Sequence, residues 1–229
     1  VAALMLGKSV KAEGSTTNNL VLSVIGASLL WVGWFGFNAG SAVAANAVAG
    51  MAMLVTNTAA AAGGLTWVLL ERLIKGKPSV VGGISGIVAG LVGITPAAGF
   101  VSFGASLVIG FAAAGICFLA GAYIKEKLGY DDSLVAFGIH GVGGIVGGIL
   151  TGVFASTAIG GTPGLIDGNS SQVVAQVIKI VICGGYSAVM TFIILSIMKC
   201  VMRLRVAEDI EKNGLDVALH GDEVTVYRK

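Results

Sequence analysis

Charge is scarce in this sequence. Charged residues make up 11% of its 229 positions, under half the roughly 25% of an average soluble domain. A shortage on that scale excludes a soluble enzyme, a disordered tail and a nucleic-acid binder working through a basic face. Proline is scarce too, with three residues, while glycine is abundant at 36. Glycine without proline excludes collagen-like and low-complexity sequence. The three cysteines, Cys117, Cys183 and Cys200, lie far apart in apolar stretches, with no spacing for a zinc site, a redox pair or a disulfide framework. They read as small hydrophobes in packing. What is abundant is hydrophobicity, at 55% of the chain, and the class that survives is a membrane protein.

The opening residues, Val1-Ala2-Ala3-Leu4-Met5-Leu6-Gly7-Lys8, contain no initiator methionine and none of the layout of a signal peptide. They read as the end of an apolar helix stopped by Lys8 and Lys11, so the chain is expected to be a fragment.

Charge-free runs extend from Gly14 to Leu70, Pro78 to Ile124 and Ser133 to Ile166. A span needs about 20 apolar residues, so the first two runs hold two helices each and the third holds one. Ser41–Asn46 and Thr95-Pro96-Ala97-Ala98-Gly99 supply the breaks. With a last span near 172–198, six helices are expected, near 19–41, 47–70, 79–95, 100–124, 133–156 and 172–198. The fold class is an all-α membrane protein. Alternating sides places residues 1–18, 71–78, 125–132 and 199–229 on one face. Every Lys and Arg falls in those segments except Lys179, inside the last span. Basic residues are enriched on the cytoplasmic side, which sets both ends of the chain inside and the 156–171 loop, with Asp167, outside. Residues 1–202 form the transmembrane domain and 203–229 a cytoplasmic tail.

Gly83, Gly86 and Gly90, and then Gly144, Gly148 and Gly152, recur at helical spacing, as in small-residue ridges that let membrane helices approach closely. Gly141-Val142-Gly143 has no strand, turn and helix around it to make a nucleotide loop.

Ionisable side chains at membrane depth are functional hypotheses by default. His140 lies about seven residues into its span, near 10 Å deep, among small neighbours. Either it lines a narrow pore or it hydrogen-bonds a neighbouring helix for packing. Lys179 is expected to snorkel to the outer surface. Trp34, Phe37 and Ser41 are three and four apart and share a helix face. They offer aromatic faces and a hydroxyl for a small cation, or an interfacial aromatic belt.

Several strings together resemble the ammonium transporter family, the Amt/Mep/Rh group. They are Trp34-Phe35-Gly36-Phe37-Asn38-Ala39-Gly40-Ser41, Thr56-Asn57-Thr58-Ala59-Ala60, and the run from Gly90 through Thr95-Pro96 to Gly99. Asp131-Asp132, Phe137-Gly138-Ile139-His140-Gly141, Gly214-Leu215-Asp216 and His220-Gly221 continue the pattern. Order and spacing are similar to the bacterial or archaeal Amt branch over essentially the whole chain. The resemblance implies an eleven-span fold, an inverted five-plus-five repeat and a final helix, of which this chain is similar to spans six to eleven.

It also implies roles. His140 corresponds to the second of two pore histidines, and Phe37 to one of two gating phenylalanines. Trp34 and Ser41 match the outer vestibule, with Ser41 set to hydrogen-bond an arriving ammonium. Thr95 resembles a small polar residue near the pore helix breaks, and Asp132 a structural acid starting the histidine helix. Gly214, Asp216 and His220 match the tail pattern that docks across neighbouring subunits. The implied activity is ammonium transport in the plasma membrane, with deprotonation outside, passage as ammonia past the histidine and reprotonation inside. Implied partners are ammonium, ammonia and methylammonium, membrane lipid, two further copies in a homotrimer, and a PII-type signal protein on the cytoplasmic face. Neither metal nor organic cofactor is implied, and no nucleic acid. The alternatives are an ammonium sensor or regulatory subunit, and a fragment inert by itself. Asn169-Ser170-Ser171 is a glycosylation sequon, meaningful only in a eukaryotic host.

Overall fold

The computed structural model describes residues 1–10, 19–124, 127, 129–132, 135–213 and 215–221. All regular elements among these described residues are helical. Helix α1 spans Ala2–Leu6, α2 Leu20–Asn38, α3 Ala47–Lys75, α4 Val80–Ile94 and α5 Phe103–Leu119. A π-turn, Ala120–Ile124, extends α5, and a second, Phe137–Gly141, leads into α6, Val142–Phe154. After the single turn α7, Thr157–Gly160, come the long α8, Ser171–Val201, and α9, Glu208–Asn213, followed by a π-turn at Asp216–His220.

Polar residues at the borders of the apolar runs set where these helices begin, by satisfying N–H groups that lack an intrahelical acceptor. Asn19 Oδ1 accepts from Leu22 N at 3.0 Å and Asn46 Oδ1 from Ala49 N at 2.9 Å. Ser79 Oγ accepts from Gly82 N at 2.9 Å and Ser102 Oγ from Ala105 N at 3.3 Å. At the other end of α3, Gly76 takes the left-handed conformation (φ 78°) that ends helices without a Cβ penalty.

Among the described residues, five of the six expected helices are long and apolar enough to cross a membrane. The exception is α4, whose 15 residues span about 22 Å, against roughly 30 Å of hydrocarbon. Pro96 explains the early stop, since its ring lacks an N–H and excludes a continuing helix. The chain goes on through turns in which Ala97 and Val101 are fully buried. Their backbone is kept satisfied by Ala97 N and Ala98 N on Ile94 O, both 2.8 Å, and by Ser156 N on Phe100 O at 2.9 Å. Irregular backbone at membrane depth is tolerated where protein covers it in this way.

Helices α3, α4 and α5 form the centre, flanked by α6. Val55, Ala59, Ile94, Ala97, Val101, Ala105 and Ile109 make one buried cluster. A second joins Trp67, Ala89, Val92, Ala114, Cys117, Phe118 and Ile139. Glycine permits this closeness. A Cβ on Gly86 would come within 2.5 Å of the Gly63 carbonyl, and one on Gly110 within 2.6 Å of the Ala59 carbonyl. The expected ridge of Gly144, Gly148 and Gly152 divides differently. Gly144 has open space around it, Gly143 and Gly147 press on α4, and Gly148 and Gly152 face α8. A spacing of four drifts around a 3.6-residue helix, so neighbouring glycine rows serve two partners. By contrast α8 has no buried residue and α2 has two, Ala27 and Asn38.

The segments that carry the basic residues gather at one end. Ser9 N and Oγ donate to Asp131 Oδ2 at 2.8 and 2.5 Å. Val10 N donates to Glu211 Oε1 at 2.7 Å, and Arg205 bridges Glu211 Oε2 (2.5 Å) and the Leu6 carbonyl (3.2 Å). Glu71, Lys75 and Ser79 border the same cleft as Gly121 and Val135.

Candidate functional site

Trp34 and Phe37 lie near the C-terminal end of α2, with ring centroids 6.2 Å apart in an edge-to-face arrangement. Trp34 is half-buried, packed against the cluster that contains Ile139, whereas Phe37 is exposed. The indole Nε1 donates to Thr95 Oγ1 at 2.8 Å, and that hydroxyl donates in turn to the Leu91 carbonyl at 2.7 Å. Thr95 sits at the end of α4, where Pro96 interrupts the helix, so the broken helix supplies the acceptor that fixes the Trp34 ring. Ser41 begins outside α2, in the 3-10 turn Gly40–Ala42, and its hydroxyl donates to the Phe37 carbonyl at 2.5 Å. The side chain is exposed. Trp34, Phe37, Ser41 and Thr95 are thus linked into one group by direct contacts.

His140 stands apart from them, in the π-turn Phe137–Gly141 ahead of α6. Asp132 caps this turn. Its Oδ1 accepts from Ala136 N at 2.7 Å and its Oδ2 from Phe137 N at 2.9 Å. The turn packs closely because its glycines allow it: a Cβ on Gly138 would lie 2.7 Å from Val135 Cγ1, and one on Gly141 2.6 Å from the Phe137 ring. Val135, which opens the turn, has φ 52°, an uncommon conformation for a β-branched residue. The imidazole is exposed, with Nδ1 3.2 Å from the Ala136 carbonyl. A carbonyl only accepts, so Nδ1 carries the hydrogen in this contact. A neutral ring then presents Nε2 as an acceptor. The adjacent Ile139 carbonyl accepts from Cys117 Sγ at 3.6 Å, tying the turn to α5.

Of the tail residues, His220 is exposed at the end of the Asp216–His220 turn. Asp216 contributes backbone to that turn, and Gly214 lies outside the described residues. Lys179 is exposed and donates to Gln176 Oε1 at 3.3 Å.

Two polar arrangements escaped the sequence reading. Asn38 Nδ2 donates to Thr56 Oγ1 at 2.9 Å, and Thr56 to the Ala52 carbonyl at 2.6 Å, with both side chains buried. Both residues stand in the family-like strings, which was the available signal. Glu71 is 4% exposed. It accepts from Ser79 N at 2.7 Å and Ser79 Oγ at 2.9 Å, and from Lys75 Nζ at 3.1 Å. Lys75 also lies 5.5 Å from the Phe118 ring centroid. Only the charge itself, next to a long apolar run, could have marked Glu71.

Among the described residues outside the spans, three titratable groups are displaced. Tyr130 is raised by burial and then by the Asp132 charge. Asp167 is held below the usual carboxylate range chiefly by the Thr157 N–H, which donates to it at 2.7 Å. Glu211 is lowered by Arg205 and then by the Val10 N–H.

With this geometry in view, the relatives are informative. An ammonium transporter of Aquifex aeolicus (strain VF5) is 51% identical over 223 residues, covering 97% of this chain and 52% of that protein. The crystal structure of Saccharomyces cerevisiae Mep2 superimposes with a TM-score of 0.83 at 38% identity, covering 90% of this chain and 49% of that one. A solved structure described as a sensor Amt protein gives a TM-score of 0.83 at 29% identity, covering 95% of this chain and 55% of that one. The chain spans about half the length of the curated relatives it matches. The family model described as Ammonium Transporter Family runs along residues 1–225, the broken α4 and the histidine turn included, and to that family this multi-pass membrane chain belongs.

Proposed function

We propose that the protein containing this chain transports ammonium across the membrane, and that Trp34, Phe37, Ser41, Thr95 and His140 serve that transport. Supporting the reading above all is the family match along residues 1–225, which takes in both the aromatic group and the histidine turn. An ammonium ion is drawn to the faces of Trp34 and Phe37 by ring electrostatics, and the exposed Ser41 hydroxyl gives it an acceptor. Carrying the charge onward through an apolar passage incurs a large desolvation cost. Loss of the proton removes it: neutral ammonia crosses past His140, whose Nε2 accepts a hydrogen bond, and regains a proton on the far side. Potassium has no proton to lose and is excluded by the same cost. Thr95 is a positioning residue, holding the Trp34 indole, and Asp132 positions the histidine turn by capping it. The assembly is a trimer in the plasma membrane, with the tail inside, where Gly214, Asp216 and His220 belong to a surface read by a PII-type protein.

The sensor reading has less behind it, because the transporter relative is 51% identical and the sensor neighbour 29%. The test is growth on low ammonium in a strain without ammonium transporters of its own. The full-length protein restores growth and methylammonium uptake, and His140→Ala abolishes or alters uptake at unchanged protein abundance. Unchanged uptake and ion selectivity in His140→Ala defeats the role given to that residue. No rescue by the full-length protein defeats the transport reading.

A further inference from the structure

Helix α8 presents three different rows of side chains. One row packs on α6, where Ile180 reaches Gly148 and the Val173 backbone reaches Gly152. A second, with Val174, Ile178, Val181 and Phe192, is wholly apolar and exposed, as suits a face against lipid. The third holds Gln172, Gln176, Lys179, Cys183 and Tyr186, spaced four, three, four and three residues apart, so they line one side of the helix. Lys179 donates to the Gln176 amide oxygen at 3.3 Å and pairs with no acid among the described residues. Tyr186 is 67% exposed, and its hydroxyl has no hydrogen-bond partner among the described residues.

Depth makes the polar row informative. Helix α8 has 31 residues, about 46 Å long against roughly 30 Å of hydrocarbon. Tyr186 is its middle residue, so the phenol stands near the bilayer centre, beyond reach of either surface. Tyrosine on a lipid face belongs at the interface, and a hydroxyl in hydrocarbon without a partner is costly. Room for a partner lies beside it. A Cβ on Gly144 of α6 or on Gly184 of α8 would meet nothing within 4 Å, although Gly148, one turn from Gly144, touches α8. The two helices therefore meet at Gly148 and Gly152 and leave a crevice further along, at the level of Tyr186. The curated relatives are about twice as long as this chain, so a polypeptide of their length has a remainder with which to fill it. We infer that a helix from that remainder lies in the crevice, beside α6 and over the polar row, offering one oxygen acceptor to Lys179 and another to the Tyr186 hydroxyl. Because the row adjoins the α6 contact, the occupant is the same polypeptide rather than another copy, and lipid meets the apolar row alone. The inference shares no residue with the transport group, so either reading can fail without the other.

The test replaces Tyr186, or Phe192 on the apolar row, with the photo-crosslinker p-benzoylphenylalanine in the full-length protein in lipid nanodiscs. After irradiation, mass spectrometry finds the position 186 probe joined to a peptide of the same polypeptide outside residues 1–229, and the position 192 probe joined to lipid. Capture of lipid or of a second copy at position 186, or no adduct outside these residues, overturns the inference. The polar contacts are read separately by thermal midpoint. Tyr186→Phe lowers it by about 2 °C, for the loss of one hydrogen bond. Lys179→Met lowers it by about 4 °C, because a covered acceptor is left unpaired, while Lys179→Arg keeps it. An unchanged or raised midpoint in Lys179→Met means that the ammonium reaches water at the outer surface, and overturns the acceptor assigned to it. An unchanged midpoint in Tyr186→Phe overturns the acceptor assigned to the phenol.

Discussion

The two ends of the helical bundle are closed by different means. At the basic end, segments far apart in sequence are joined through side chains: Ser9 to Asp131, Val10 to Glu211, Arg205 to the Leu6 carbonyl and Glu71 to Ser79. At the other end the backbone bonds to itself. Ser156 N donates to Phe100 O at 2.9 Å, Gly164 N to Ala155 O at 2.7 Å, Leu165 N to Gly152 O at 2.9 Å and Ile166 N to Val153 O at 3.1 Å. Side-chain closure depends on charge state and tolerates small changes in shape. Backbone closure is indifferent to pH and intolerant of added volume. One end is coded in charge, the other in the absence of side chains.

The largest expected effect comes from adding a methyl group to the backbone-closed end. A Cβ on Gly164 would lie 2.7 Å from the Ala155 carbonyl oxygen and 2.9 Å from both Ala155 N and the Gly152 oxygen. No flexible side chain is there to yield, so Gly164→Ala is expected to cost about 3 kcal/mol. A thermal midpoint within a degree or two of wild type would show that this end is not held by backbone closeness. At the basic end, Glu71→Ala leaves the Ser79 N–H and hydroxyl without their acceptor in a part-buried site. The expected cost is smaller, about 2 kcal/mol. Lys75 adds little to this, since its side chain is 56% exposed and such pairs contribute weakly. Glu71→Gln, which retains an acceptor, should fall between the two in denaturation midpoint. Equal losses for Ala and Gln would shift the weight from the hydrogen bonds to the charge.

The difference between the ends also explains how much the sequence disclosed. Segregation of Lys and Arg between charge-free runs is a compositional property, so the helix order and the gathering of basic segments were legible. The aromatic spacing in α2 placed Trp34 and Phe37 together because helical neighbours are fixed by period alone. Contacts between elements were not legible. Nothing in spacing pairs Trp34 with Thr95, or Asn38 with Thr56, because those bonds depend on where α2 crosses α3 and α4. The bounds of α4 were legible, because Ser79 and Thr95-Pro96 bracket it and the expected 79–95 lies within one residue of Val80–Ile94 at each end. The glycine period suggested one ridge in α6 where two partners share the surface. Glu71 opens the basic segment 71–78, and only the fold of Ser79 back onto it makes it a buried acceptor.

The finest test separates the two ends by acidity. Glu211 titrates below its ordinary range because the Arg205 guanidinium, and then the Val10 N–H, favour the carboxylate, although Asp131 opposes them. A depressed carboxyl contributes its stabilisation in full above the unfolded value, near 4.3, and loses it as pH falls through the lower folded value. Acidification through that window should therefore release Val10 and loosen the junction of α1 with the tail. Among its described residues the backbone-closed end has a comparable group in Asp167, whose contacts with Thr157 N and the Ser156 hydroxyl weaken in the same direction. Its other amides, Leu165 and Ile166, donate to carbonyls that do not titrate. Hydrogen exchange, taken relative to each amide's intrinsic rate, should show protection falling at Val10 and Thr157 while Leu165 and Ile166 keep theirs. Because Glu211 and Asp167 are solvent-accessible, the change is expected to be local, with little movement of the global midpoint. A uniform loss of protection across both ends would mean that acid acts on the whole bundle, and the division between charge-coded and backbone-coded closure would fail.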